Sequence, residues 1–553
     1  MSFISRRDVV RGLASVPVLA QMPMVLANNT DFQHGVASGD PDQQSIVLWT
    51  RVTTLAAEVP VQWELSEDPA FKAIVARGEV VTNHYRDHTV KVLVKDLKPG
   101  KHYWYRFQAD GQLSPIGRTK TLPTGSVDKV GIALVSCSNF AFGYFNAYAA
   151  IAESDAVDVV LHTGDYLYEY GADGWGAETA KTLNREHLPR HEIVSLADYR
   201  QRHAQYKTDI GSQAMHANHP LIALWDDHES ANNPWVGGAQ NHQPDSEGDW
   251  RARRSAAVQA YYEWMPVREP GLTQSAIEFW RRYDFGGLAT LVTMESRHTA
   301  RARQIEYSVD VMRTVQSLDD AREFEQNTIN QPDRRMLSES METFLEEALT
   351  DSVAHQRPWR VLGNAIPMAK VRTPNLTQAG ISMPKGTPEG YPDFVWKGQY
   401  DLPIYLDTWD GYAWARNRFY ERCANLGVRD LLVLTGDSHS FWANSLYNDD
   451  GQPMGVEIGT AGVSSPGDFV GQGFDNSTAE VLDRLLEKHN PEVRWTDNLH
   501  QGYVLVTLTA EQATVDYMAV TTVLSQDFSV EKIRQEVVVP QNGSLTFKPS
   551  NRR

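Results

Sequence analysis

The chain has 553 residues, 41% of them hydrophobic and 22% charged, which is enough to bury a large core and to form more than one domain. Its formal net charge of −18 gives no general attraction for nucleic acid or anionic lipid, and neither is expected as an electrostatic partner. An anionic substrate would have to be drawn in by local positive charge, for which bound metal ions are the obvious source.

The N-terminus reads MSFISRRDVVRGLASVPVLAQMPMVLANNT. Arg6 and Arg7 precede a modestly apolar stretch from Gly12 to Ala27, which Pro17, Gln21 and Pro23 interrupt. That stretch falls short of the ~20 apolar residues a spanning helix needs. Residues 1–27 resemble a twin-arginine signal peptide, with Val25-Leu26-Ala27 offering small residues for cleavage. The resemblance implies passage through the twin-arginine export machinery and a periplasmic or secreted mature protein without a transmembrane anchor. Nothing in the chain calls for an oligomer, and a monomer is expected.

Residues 31–124 read as short alternating strands. SIVLWTRV is a buried run, VQWELS alternates Val61, Trp63 and Leu65, and TVKVLVKDL alternates Val90, Val92 and Val94. LKPGKHYWYRF adds a Pro-Gly turn and then Tyr103, Tyr105 and Phe107 on one face. This spacing predicts a small β-sandwich, similar to fibronectin type III modules, with TLPTGSVDK as linker. From residue 127 to about 525 the texture changes. Apolar strands (KVGIALVSC, AVDVVLHTGD, HPLIALWDDHE, LATLVTMESR, RPWRVLGNAIP, RDLLVLTGDSH, MGVEIGTAG, YVLVTLTA) alternate with amphipathic helices such as SMETFLEEALTDSV. That pattern predicts an α/β domain whose sheets are covered on both faces and whose ligands bind beyond the strand ends. Residues 526–553 form a C-terminal tail with no legible motif. The two cysteines read as separate thiols: Cys137 ends an apolar run and Cys423 lies in a predicted helix, and a disulfide between them is the lesser reading.

Two of the strands, far apart in the chain, end in the same Thr-Gly-Asp, at Asp165 and at Asp437. Gly-Asp alone is ordinary turn chemistry. Collected by strand end, however, the polar residues are Cys137, then Asp165 and Tyr168, then Asp226, Asp227, His228 and Glu229 with Asn232 and Asn233, then Asp437 and His439. Taken singly, Cys137 suits a buried small residue, Tyr168 a core aromatic and His439 a cap. Together they are metal-ligand types, and so many carboxylates at one edge need cations to offset their repulsion. No Gly-x-Ser-x-Gly elbow, GxxxxGK[ST] loop or HExxH motif is present, and GADGWG reads as a glycine-rich loop.

GDYLY, WDDHE and GDSH resemble the metallophosphoesterase motifs in the variant form of the alkaline phosphatase D (PhoD-like) family, and so do FQHGVASGDPDQQSIVLWTRV, LADYRQRHAQYKTD, WDDHESANN, RPWRVLGNAI, DTWDGYAWARNRFYE, VEIGTAGVSSPG and NPEVRWTDNLHQGYV. The resemblance spans roughly residues 31–525. It implies a four-layer αββα catalytic domain behind the β-sandwich, an Fe³⁺ and Ca²⁺ centre, and hydrolysis of phosphate esters by metal-activated water. Cys137, Asp165, Tyr168 and His439 would supply thiolate, carboxylate, phenolate and imidazole, an anionic set suited to a trivalent iron. Asp165 as bridge, with Asp227, Asn233 and Asp437, would give an all-oxygen site suited to Ca²⁺, with Asp227 and Asn233 both open as its ligand. His228 stands where the superfamily has its general acid, an orienting role towards Asp227 being the alternative. Arg297 is a candidate for contacting phosphate or for a surface ion pair, and Glu457 is a weaker candidate. Small phosphate esters are the expected substrates, with phospholipid head groups, as for a phospholipase D-like diesterase, as the alternative. A non-catalytic exported binding or adhesion protein is disfavoured by the intact ligand set.

Overall fold

The computed structural model describes residues 30–385, 387 and 393–549, so the signal-like segment lies outside the described residues. Each apolar run read as a strand is one, and the helix expected in SMETFLEEALTDSV spans Glu339–Ala354. Ser338 caps that helix by accepting from the Met341 N–H, and Met341, Leu345 and Leu349 bury the predicted stripe.

Two sheets carry the molecule. One has ten strands with a parallel centre, Val130–Val135, Val159–His162 and Leu221–Ala223 side by side. The other has seven, with Ala289–Thr293, Trp359–Gly363, Leu431–Thr435 and Pro453–Gly459 parallel and adjacent. Successive residues of the central strands serve different cores, as the pleat requires. Ile132, Leu134, Leu161 and Ile222 pack with Leu291, Leu362, Leu432 and Ile458 of the second sheet. Ala133, Val135, Val160 and Ala223 pack instead with Tyr148, Tyr199 and Tyr261, which lie on the helices Asn146–Ala152, Leu196–Tyr206 and Trp250–Trp264. The seven-stranded sheet is packed in turn by Leu345, Phe419 and Leu486, from Glu339–Ala354, Ala413–Asn425 and Asn476–His489. Burying strands on both sides is why they read as unbroken apolar runs.

The N-terminal region is divided between sheets. Glu58–Ser66, Ile74–Asn83, His102–Ala109, Gln112–Leu113 and Gly117–Lys120 form a separate five-stranded antiparallel sheet. Val36–Gly39, Ile46–Arg51 and Thr89–Val94 instead extend the ten-stranded sheet, because Val36–Gly39 pairs in parallel with Leu221–Ala223 at Gly39 and Leu221. The two groups do enclose one core, in which Ile46, Leu48, Val90 and Val92 meet Val61, Leu65, Tyr103, Tyr105 and Phe107. The residues called a tail contribute the strands Val530–Gln541 and Ser544–Phe547 to the opposite edge of the ten-stranded sheet. Both cysteines are buried free thiols. Among the described residues no helix is long and apolar enough to cross a membrane.

Candidate metal centre

The carboxyl ends of the parallel strands in both sheets converge. Val463 N–H donates to the Ser136 carbonyl (2.9 Å), and Ser136 and Gly462 form an isolated parallel bridge. Into this junction project the residues that follow each strand. Five of the seven expected ligands, Cys137, Asp165, Asn233, Asp437 and His439, have left-handed backbones, with φ between 51° and 65°. For a residue with a Cβ this conformation is disfavoured, and its accumulation at one place marks a site whose surroundings impose the geometry.

Asp165 is the centre. The Cys137 thiol lies 3.4 Å from its Oδ2 and the Tyr168 hydroxyl 3.3 Å from the same atom. The Tyr168 hydroxyl is also 3.2 Å from His439 Nε2 and 2.9 Å from Ser465 Oγ. Ligand atoms of Cys137, Asp165 and His439 all lie within 4.8 Å of one another. A second group within the same span joins Asp165 to Asp226, Asp227 and Asp437. A third joins Asp165 to Asp227 and His228, so Asp165 belongs to all three. Asn233 is adjacent, since its N–H donates to Asp227 Oδ2 (2.9 Å), but its side-chain amide turns to Gln240 Oε1 (2.9 Å). Of the two open second-site candidates, the structure brings Asp227 into the carboxylate group; Asp226 joins it as well.

Burial and, next, the Asp165 charge push the Cys137 thiol well above its ordinary pKa. Burial, then Cys137 and Asp165, do the same to the Tyr168 phenol. Burial also raises the Asp165 and Asp437 carboxyls well above the carboxylate range, neighbouring aspartates adding to it. Burial holds His439 down to about 3. The donor set is thus assembled but reluctant to ionise, which is the condition a multivalent cation relieves by displacing the protons. Asp226 Oδ2 is buried without a partner. The residues fit a metal centre with a mixed S/O/N part and an all-oxygen part.

His228 shares the third group with Asp165 and Asp227. Its Nδ1 is 2.7 Å from Glu169 Oε2, its Nε2 is 3.9 Å from Asp227 Oδ2, and its ring lies 4.2 Å from that of Tyr168. Burial opposes the charged imidazolium, but Asp227, Glu169 and Asp165 outweigh it and raise the pKa well above the usual histidine value. Arg297 is an ion-pairing residue, though a buried one: its guanidinium binds Asp226 through Nε and approaches Asp227 Oδ1 at 3.4 Å and Asp437 Oδ1 at 3.5 Å. Its Nη1 is buried without a partner. Glu457 is spent elsewhere, accepting from the N–H groups of Met368 and Ala369 and from the Asn444 amide.

Residues to which the sequence assigned no role of their own also build this geometry. Glu229 accepts from the N–H groups of Asp165 (3.1 Å), Tyr166 (2.6 Å) and Asp226 (2.8 Å), tying two strand ends together. Glu295 accepts from Arg297 N (2.8 Å) and His298 N (2.6 Å) and fixes the turn that carries the guanidinium. Trp175, in the glycine-rich GADGWG loop, stacks on the His439 ring (5.4 Å, 17° between planes). A tryptophan amid glycines was the available signal there; Glu169 and Glu229 carried none beyond proximity to Asp165 and Asp226.

The chain is 33% identical over 502 residues to the alkaline phosphatase D of Bacillus subtilis (strain 168), which covers 88% of this chain and 77% of that protein. A solved structure described as the structure of PhoD superposes with a TM-score of 0.77 at 31% identity, covering 94% of this chain and 92% of the other. Residues 132–517 match the PhoD-like phosphatase family and residues 20–123 its N-terminal domain. With a strand-end centre of this composition beneath those matches, the chain belongs to the PhoD-like phosphatase family and is a phosphoesterase.

Proposed function

We propose that this phosphoesterase works outside the cytoplasm with an Fe³⁺ held by Cys137, Asp165, Tyr168 and His439 and a Ca²⁺ held by Asp165, Asp227 and Asp437, with Asn233 at its margin. The observation that carries the assignment is Asp165, whose Oδ2 is approached by a thiol and a phenol while its carboxylate also belongs to an all-carboxylate group. The anionic charge of thiolate, phenolate and carboxylate suits a trivalent ion, and hard oxygens favour calcium. When bound, the ions supply an activated water and neutralise charge on the phosphate. The protein's own part is orientation and proton transfer. Glu169 holds His228 through Nδ1, and Asp227, Glu169 and Asp165 together favour its protonated form, so its Nε2 is the group that gives a proton to the leaving alkoxide. Arg297 Nη1, buried and unpartnered, is the donor left over for a phosphate oxygen. The Arg6-Arg7 signal supports export to the periplasm or medium. The layered packing of helices, two sheets and helices supports the αββα sandwich, and the shared core of residues 31–124 supports a fibronectin III-like module fused to it. Phosphate monoesters and small diesters are the proposed substrates; a phospholipase D-like role is not favoured.

The test is metal analysis and visible absorption of the purified protein together with hydrolysis of a chromogenic monoester and diester. Iron and calcium, a thiolate or phenolate charge-transfer band and turnover of either ester are expected. Tyr168→Phe shifts or weakens the band, and Cys137→Ser lowers iron content further because it replaces an anionic sulfur with a weak neutral ligand. Cys423→Ser, at a buried thiol in a helix, leaves both unchanged. A colourless protein fully loaded with a divalent metal would overturn the ferric assignment.

A further inference from the structure

Far along the sheet from the strand-end centre, the edge strand Thr89–Val94 of the ten-stranded sheet and the edge strand Ile74–Asn83 of the five-stranded sheet face the segment 268–281. Between them lies a cleft of about 510 Å³, within the roughly 300–1,000 Å³ typical of small-molecule sites. Its lining combines two chemistries. One is apolar and partly bare: Val80 and Val81 line it with Leu93, and Val81 is 57% and Leu93 40% exposed. The other is cationic. Arg86, Lys91, Arg268 and Arg281 line the cleft, and two carboxylates pair with the side chains of only three of them.

Glu269 Oε1 is shared by Arg86 (2.8 Å) and Lys91 (3.2 Å). Asp40 takes Arg281 Nε (3.0 Å), the Arg268 backbone N–H (2.6 Å) and the Tyr283 hydroxyl. Arg268 Nη2 is held on neutral acceptors, the Asp40 carbonyl (2.8 Å) and Ser45 Oγ (3.0 Å), which fixes the guanidinium without neutralising it. Burial pushes the Lys91 ammonium down to about 8, against the opposing charge of Glu269. A local cationic excess in a chain of net charge −18 is the opposite of what the composition predicts.

We propose that this cleft binds a single-headed anionic amphiphile, its carboxylate or phosphate head between Arg268 and Arg281 and its hydrocarbon body on Val80, Val81 and Leu93. Preorganised guanidinium donors suit either oxyanion, and the apolar wall gives the tail a surface to leave water for. Neither half of the cleft suffices alone. A free small anion would leave the apolar wall wet, and a neutral hydrocarbon would leave the cations unanswered. Because the cleft lies apart from the metal centre, occupancy of one does not require the other.

Isothermal titration of the metal-loaded, full-length enzyme with decanoate tests the proposal, since decanoate is no phosphate ester. Binding is expected to strengthen from hexanoate to decanoate, by up to about fourfold per added methylene, and to fail with decanol. Decylphosphonate should compete with decanoate. Leu93→Glu, at an exposed position, should weaken decanoate at least tenfold while leaving ester hydrolysis unchanged, and Arg281→Met should do so by removing the head contact. Equal binding of hexanoate and decanoate, binding of decanol as tight as decanoate, or an unaffected Leu93→Glu would each overturn the proposal. An Arg281→Met variant that fails to fold leaves the decision with Leu93→Glu and the ligand series.

Discussion

Arg297→Met is the substitution that most directly probes how the acidic centre is held together. The side chain is wholly buried and faces Asp226, Asp227 and Asp437, so its guanidinium is the nearest fixed cation to three of the four clustered carboxylates. Methionine fills a similar volume and removes the charge. In metal-free protein the carboxylates would then be left without their counter-charge, and losing one partner of a buried pair costs about 3–5 kcal/mol. Spread over a catalytic body of roughly 400 residues, at about 2.1 cal/mol/K per residue, that cost is a fall in melting temperature of about 4–6 °C. With cations bound, the same carboxylates are answered by the ions and the penalty shrinks. The prediction is therefore a difference: calorimetry of metal-free and metal-loaded samples should show the gap between them widening by about that amount in the variant. Arg297→Lys should fall between, because an ammonium keeps the charge but cannot spread its donors over three carboxylates. If metal-free Arg297→Met melts with metal-free wild type, Arg297 is not the counter-charge of this site. A widened gap with normal KM and reduced kcat would add that Nη1 acts on the phosphate only in the transition state.

Two other outcomes follow from the same geometry. Asp165→Asn should lower the content of both metals and cut turnover by at least about 10²-fold, the scale of several kcal/mol of lost charge stabilisation; full metal content with near-normal turnover would reduce Asp165 to a turn residue. Glu169→Gln should leave metal content intact but move the alkaline limb of kcat/KM to lower pH. The sign follows from Glu169 holding the His228 pKa up: the acid form is lost as pH rises through that pKa, and without the carboxylate it is lost sooner. An unmoved limb would assign His228 an orienting role.

What was legible in the sequence was whatever one segment decides by itself. Strands buried on two faces have no choice but to read as apolar runs, and ligands that stand directly after them inherit that visibility. Arg297 was read as a contact to substrate or a surface pair because an arginine's burial is a tertiary fact. The same holds for Glu169 and Glu229, since His228 and the Asn232 N–H meet the first, and the Asp165 and Tyr166 N–H groups the second, across some sixty residues of chain. The tail was unreadable for a different reason. Val530–Gln541 lies near the sheet edge with charged residues on its open face, so its β pattern is diluted by VEKIRQE. The sharing of the N-terminal strands depends on one parallel pairing between residues far apart in the chain, Gly39 with Leu221, and no local pattern announces such a pairing.

The repeated Thr-Gly-Asp shows where local and tertiary causes meet. A Cβ on Gly164 would lie 2.4 Å from the Asp226 backbone nitrogen, and one on Gly436 would lie 2.2 Å from Ser136 Oγ. Neither contact is tolerable, so each glycine is required by another strand end pressed against it rather than by the turn alone. Gly164 brings two neighbours of one sheet together, and Gly436 brings the second sheet onto the first. The aspartate after each glycine, in the left-handed conformation, is thereby delivered into the junction that the glycine made possible. Turn chemistry and ligand chemistry are thus one arrangement: the close approach that demands glycine is also what brings Asp165 and Asp437 within reach of the same cation.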